Sequence, residues 1–107
     1  MQLVKDIYKI TDGFPGHELY GLTSQLRRAA VSVPSNLAEG ASRNSRGEFR
    51  QFIGNARGSL AEVETQVEIV CDLGYVSQDT AKRLLAEIDE FSRMLAGLRS
   101  WTSQAAS

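Results

Sequence analysis

The chain has 107 residues, 42% apolar and 23% charged, which fits one soluble globular domain and is too apolar for a disordered segment. Its 12 basic and 13 acidic residues leave a net charge of −1, which argues against a histone-like basic binder and against a polyacidic chaperone.

Leu3, Ile7 and Ile10 recur at four and three and predict a short amphipathic helix over 2–11. Asp12-Gly13-Phe14-Pro15-Gly16 breaks it with two glycines and a proline. Leu19, Leu22, Leu26, Ala29 and Val33 predict a second helix over 17–40, with Gly40 suited to its end. Pro34 falls inside this helix and removes the amide that would bond the Ala30 carbonyl. The stripe Leu26, Ala30, Val33, Leu37 nevertheless continues past it, so one kinked helix is expected rather than two. Phe49, Ile53, Ala56, Leu60, Val63, Val67 and Val70 predict a third helix over 46–73. A capping box, Ser45-x-x-Glu48, opens it and Gly74 closes it. Ala81, Leu84, Ile88, Phe91, Leu95 and Leu98 predict a fourth over 78–100, with Ser77 as N-cap and Asp79 in the first turn. The tail 101–107, from Trp101 on, carries no apolar stripe and is expected to fray.

No stretch alternates with the period of a strand. The links around Arg43-Asn44 and Tyr75-Val76 are short enough to force antiparallel neighbours, and the 3.5-residue repeat implies knobs-into-holes packing. The expected fold is all-α: an antiparallel up-and-down four-helix bundle with a Pro-kinked second helix, a single domain over 1–100.

Catalytic chemistry finds little purchase. Cys71 is the only cysteine, so no disulfide forms within the chain, and its place beside Val70 suits a packed structural thiol. His17 is the only histidine, too few for a di-iron carboxylate centre or an ordinary zinc site; beside Gly16 it reads as a surface residue. No nucleophile elbow, phosphate-binding loop or dinucleotide fingerprint occurs. Glu39, Glu62 and Glu64 read as solvated or arginine-paired acids, and Asn36, Ser59 and Gln66 as polar groups that fix helix register. No cofactor, metal or catalytic residue is expected. No apolar run approaches the ~20 residues of a membrane span, and the start Met1-Gln2-Leu3-Val4-Lys5-Asp6-Ile7 does not read as a signal peptide, so a cytoplasmic location is expected.

Two features exceed the needs of one bundle. Tyr8, Tyr20, Val31, Phe52, Ile69, Leu85 and Met94 lie off the core stripes. Gly54 and Gly58 sit inside the third helix, where each costs about 1 kcal/mol against alanine. Either another helix of the chain approaches them closely, or a second subunit does. Tyr20, Phe52, Gly54, Gly58 and Ile69 are therefore candidate oligomer-interface residues.

Charge is also uneven. Residues 1–58 carry eight basic and five acidic groups, residues 59–107 four basic and eight acidic. Arg27, Arg28, Arg43, Arg46, Arg50 and Arg57 fall in one stretch, and Arg46, Arg50 and Arg57 share a face of the third helix. Their guanidinium forks suit phosphate, which makes the six candidate nucleic-acid contacts. The competing reading pairs them with acids of the fourth helix or of a neighbouring subunit.

The segment from Leu19 to Gly40, with its run Ser32-Val33-Pro34-Ser35-Asn36-Leu37-Ala38-Glu39-Gly40, and the segment from Glu48 to Gln66 resemble a bacterial four-helix-bundle family. That family includes proteins encoded within 23S rRNA intervening sequences, and the resemblance covers roughly residues 3–99. It implies an antiparallel four-helix bundle assembled as a ring-like homopentamer. A related branch, the accessory proteins of diversity-generating retroelements, implies a reverse-transcriptase partner and nucleic-acid binding. No enzymatic activity and no catalytic or ligand residues come with the resemblance. Two departures stand out: Ala41-Ser42 replaces an aromatic residue and glycine often found after Gly40, and the chain is slightly acidic where the retroelement branch is basic.

The functional expectation is a non-enzymatic, homo-oligomeric scaffold or adaptor that presents its arginines to RNA, DNA or a reverse-transcriptase-like protein. The alternative is a purely protein-binding homo-oligomeric module without nucleic-acid affinity.

Overall fold

Leu3 and Ile7 lie on one face of α1 (Gln2–Asp12) and are both buried, as their spacing requires. In the computed structural model, which describes residues 1–104, three further helices follow: α2 (Ser24–Ala41), α3 (Arg46–Asp72) and α4 (Gln78–Gln104). No strand occurs among the described residues. At about 1.5 Å per residue the two longest helices reach roughly 40 Å, consistent with a molecule measuring 50 × 24 × 18 Å.

The helix ends form as their sequences dictate. Ser45 caps α3: its Oγ accepts from the Glu48 amide at 3.1 Å and donates to the Glu48 carboxylate at 3.3 Å. Ser77 does the same for α4, accepting from the Thr80 amide at 3.1 Å. Gly74 has φ +79°, the left-handed conformation that lets α3 stop. There the Tyr75 amide donates to the Val70 carbonyl and the Gly74 amide to the Cys71 carbonyl, the paired bonds of a Schellman motif.

The core is the sum of the predicted stripes. Leu26, Ala30 and Val33 of α2, Ile53, Val63, Val67 and Val70 of α3, and Leu84, Ile88 and Leu95 of α4 are essentially sealed from water. Burying one such side chain contributes about 1.5–3 kcal/mol. Helices α2 and α3 interlock most fully. Their contact pairs Ser32 with Ser59 and brings Gly40 against Phe49 and Phe52. Ser32 and Ser59 share a 2.7 Å hydroxyl–hydroxyl hydrogen bond, and the Asn36 amide donates to the Ser32 carbonyl and hydroxyl at 2.8 and 3.0 Å. These polar groups fix how far one helix can slide along the other.

Four expectations need correction. The second helix does not begin near residue 17. A 3-10 turn (Gly16–Glu18) and a π-helical turn (Leu19–Thr23) come first, and Gly21 leaves helical geometry at φ −108°, ψ −112°. Leu19, assigned to the core stripe, is consequently half-exposed at 50%. From Ser24, α2 runs through Pro34 as the single helix expected. The tail does not fray at 101: α4 continues through Gln104, Thr102 is buried, and the Trp101 ring meets Phe49 edge-on at 6.4 Å. Residues 105–107 lie outside the described residues. Finally, Phe14, read only as part of a breaker, is buried and packs its ring 5.4 Å from that of Tyr75.

Candidate functional site

The six candidate arginines do not line one cleft. Arg27 is a structural clamp. From α2 its Nε donates to Thr11 Oγ1 at 2.7 Å and its Nη2 to Asp12 at 2.9 Å, while the guanidinium lies 4.7 Å from the centre of the Tyr8 ring. All three of these partners belong to α1. Arg28 donates to Ser24 one turn back at 3.2 Å. Arg43 pairs with Glu39 at 2.8 Å and covers the Phe52 ring at 4.9 Å. Arg46 stacks 4.1 Å over Trp101. Of the competing reading, the half that pairs these arginines with the fourth helix is not found: among the described residues, none of the six forms an ion pair with α4.

Arg50 and Arg57 remain together. They line a cleft of about 310 Å³ with Gly47, Gln51 and Gly54 of α3 and with Arg99 of α4. Three guanidinium groups thus border one cleft that no carboxylate lines, and all three residues are exposed. Arg57 also borders a second cleft, which holds Glu64. Arg99 was missed in the sequence because it sits in the acidic half of the chain. Its one available signal was its place on the outer face of α4, one position beyond the core residue Leu98.

Gly54 and Gly58 are not close-packing sites within the chain, since a Cβ at either would meet nothing within 4 Å. The close approach occurs at Gly40 instead, where a Cβ would stand 2.6 Å from Phe52 Cβ. Phe52 is therefore engaged inside the chain, between Gly40 and Arg43. Tyr20 and Ile69 are exposed, at 92% and 41%.

Two apolar faces flank α1. Between α1 and α2, Tyr8, Leu19, Tyr20 and Val31 line a groove of about 670 Å³ whose only charged residues are Arg27 and Arg28. Between α1 and α4, Met1, Leu3, Phe91 and Met94 line a cleft of about 420 Å³ whose only charged side chains are those of Glu87 and Glu90. Burial pushes the Glu87 carboxyl up to about 7, and a hydrogen bond to Asp6 and the charge of Asp6 add to the shift. Across the bundle, the Tyr75 hydroxyl donates to Glu18 at 2.8 Å, a bond that raises its pKa together with burial and the Glu18 charge.

Among the described residues no three His, Cys, Asp or Glu side chains gather as a metal ion would require. The His17 side chain is 74% exposed and its nearest acid is Glu18 at 3.9 Å. No described helix is long and apolar enough to cross a membrane.

A search of curated proteins finds no match to this chain. A scan against family models matches the 23S rRNA-intervening sequence protein family over residues 1–97. With that match extending from α1 through most of α4, the chain belongs to the 23S rRNA-intervening sequence protein family.

Proposed function

We propose that the chain is a non-enzymatic scaffold whose working form is a closed ring of its own copies. The observation that carries this reading is Tyr20, an aromatic side chain 92% exposed beside half-exposed Leu19 on an open apolar groove. A monomer gains nothing by wetting two such side chains together, whereas a second copy would dry them. The α1/α2 groove is bordered by arginines and the α1/α4 cleft by glutamates, so the two apolar faces are unlike and complementary. Contacts between unlike faces run head to tail and close into rings when the rotation permits, and the homopentamer is the ring we favour. The pairing of Ser32 with Ser59 and of Gly40 with Phe52 supports an antiparallel up-and-down bundle as the ring's building block, with Pro34 bending α2 within it.

Light scattering at micromolar concentration tests the reading. The expected mass is a multiple of the single chain, and Tyr20→Ser lowers it. A single-chain mass for the unaltered protein would sink the proposal.

A scaffold that binds only protein is the alternative. The acid-free cleft of Arg50, Arg57 and Arg99 favours a scaffold that also holds RNA.

A further inference from the structure

We propose that the cleft between α3 and α4 binds the phosphate backbone of single-stranded RNA, held by Arg50, Arg57 and Arg99. This deepens the RNA-holding form of the scaffold reading and does not depend on the number of copies in the ring.

The argument starts from charge. The protein as a whole is slightly acidic, yet three guanidinium groups border one small cleft with no carboxylate on its lining. None of the three forms an ion pair among the described residues. Three other arginines are neutralised or covered: Arg27 by Asp12 and Tyr8, Arg43 by Glu39 and Phe52, Arg93 by Asp89. Like charges held together without a counterion repel, and an anion from outside would relieve that repulsion. Guanidinium forks match the paired oxygens of a phosphate, and Gln51 on the same lining adds an amide donor. Gly54 leaves open space where a side chain would stand, so a ligand can reach the helix backbone there.

The shape of the basic surface selects a polymer over a free ion. Arg46, Arg50 and Arg57 lie on one face of α3 and span about 16 Å at ~1.5 Å per residue. A row of that length fits successive phosphates of a chain better than one small anion. At its end stands Trp101, 45% exposed and in contact with Arg46. Arg46 covers part of that ring, and its exposed remainder offers a base the aromatic contact that, beside a basic groove, holds single strands. Neither inorganic phosphate nor an acidic peptide has a use for the ring.

Fluorescence anisotropy of a labelled oligouridine tests the proposal, beginning near ~50 mM salt, where phosphate contacts are strong. The combined variant Arg50→Gln, Arg57→Gln, Arg99→Gln is expected to bind at least about tenfold more weakly, with a log–log salt slope shallower by about 2, at ~0.7 per lost contact. A control variant, Lys9→Gln, Lys82→Gln, Arg93→Gln, removes the same charge outside the cleft and is expected to bind almost as the unaltered protein does. Trp101→Leu is expected to weaken binding without altering the slope. Arg99→Gln alone, an exposed change, keeps the test available should the triple variant unfold. Three results would overturn the site: no RNA binding at low salt, equal losses in both triple variants, or competition by oligoglutamate or inorganic phosphate as effective as that by unlabelled RNA. Helicity and mass are read on every sample. A variant with native helicity and mass that has lost RNA therefore supports the cleft, whereas a protein that binds RNA as a single chain overturns the ring and leaves the cleft standing.

Discussion

Gly40 of α2 and Phe52 of α3 meet so closely that a Cβ on Gly40 would stand 2.6 Å from Phe52 Cβ, and 2.9 Å from a ring carbon of Phe49. Neither neighbour is a flexible tip, so the helices would have to part. Gly40→Ala is expected to destabilise the protein by about 1–3 kcal/mol, the usual range for overpacking. Gly54→Ala, in open space, is expected to stabilise it by about 1 kcal/mol through helix propensity alone. Urea denaturation of the two variants should move the midpoint in opposite directions.

Arg27 ties α2 to α1. Asp12 is 83% exposed, so that ion pair contributes little. The bond to buried Thr11 and the contact with Tyr8 carry more. Arg27→Ala is expected to cost about 2 kcal/mol. Arg27→Lys should recover little of it, because an ammonium cannot reproduce the planar fork. Hydrogen exchange should locate the loss, with amides of α1 exchanging faster than those of α3.

Glu87 gives a pH dependence with a definite sign. Its carboxyl titrates near 4.5 when unfolded and at about 7 when folded. Folding therefore favours the protonated form. The stabilisation is fully present below pH 4.5 and is lost as the pH rises through about 7. Arg83 opposes the shift, while Asp6 and Glu90 reinforce it. Melting temperature should fall between about pH 5 and pH 8, and Glu87→Gln should flatten that fall and melt higher at the alkaline end. An unchanged slope in the variant would refute this role for Glu87.

The long helices were legible because Ile53 to Val70 and Ala81 to Leu95 repeat without a slip, and Ser45, Gly74 and Ser77 punctuate them with residues of definite conformational use. The break before α2 was not legible, since Leu19, Leu22 and Leu26 keep helical spacing across Gly21 while the backbone departs there. Periodicity reports where side chains could align, not whether the chain stays helical between them. The arginines show the same limit. Spacing placed Arg50 and Arg57 on one face, but that Arg27 would be held by α1, that Arg46 would meet Trp101 and that Arg99 would join Arg50 and Arg57 depends on which helices touch.

Trp101 is the only tryptophan of the chain, and it touches both a guanidinium from the start of α3 and the Phe49 ring. Its indole emission therefore serves as a built-in optical reporter for this end of the molecule. A red shift on mild heating would mark the last turns of α4 lifting away before the remainder melts, with no added dye.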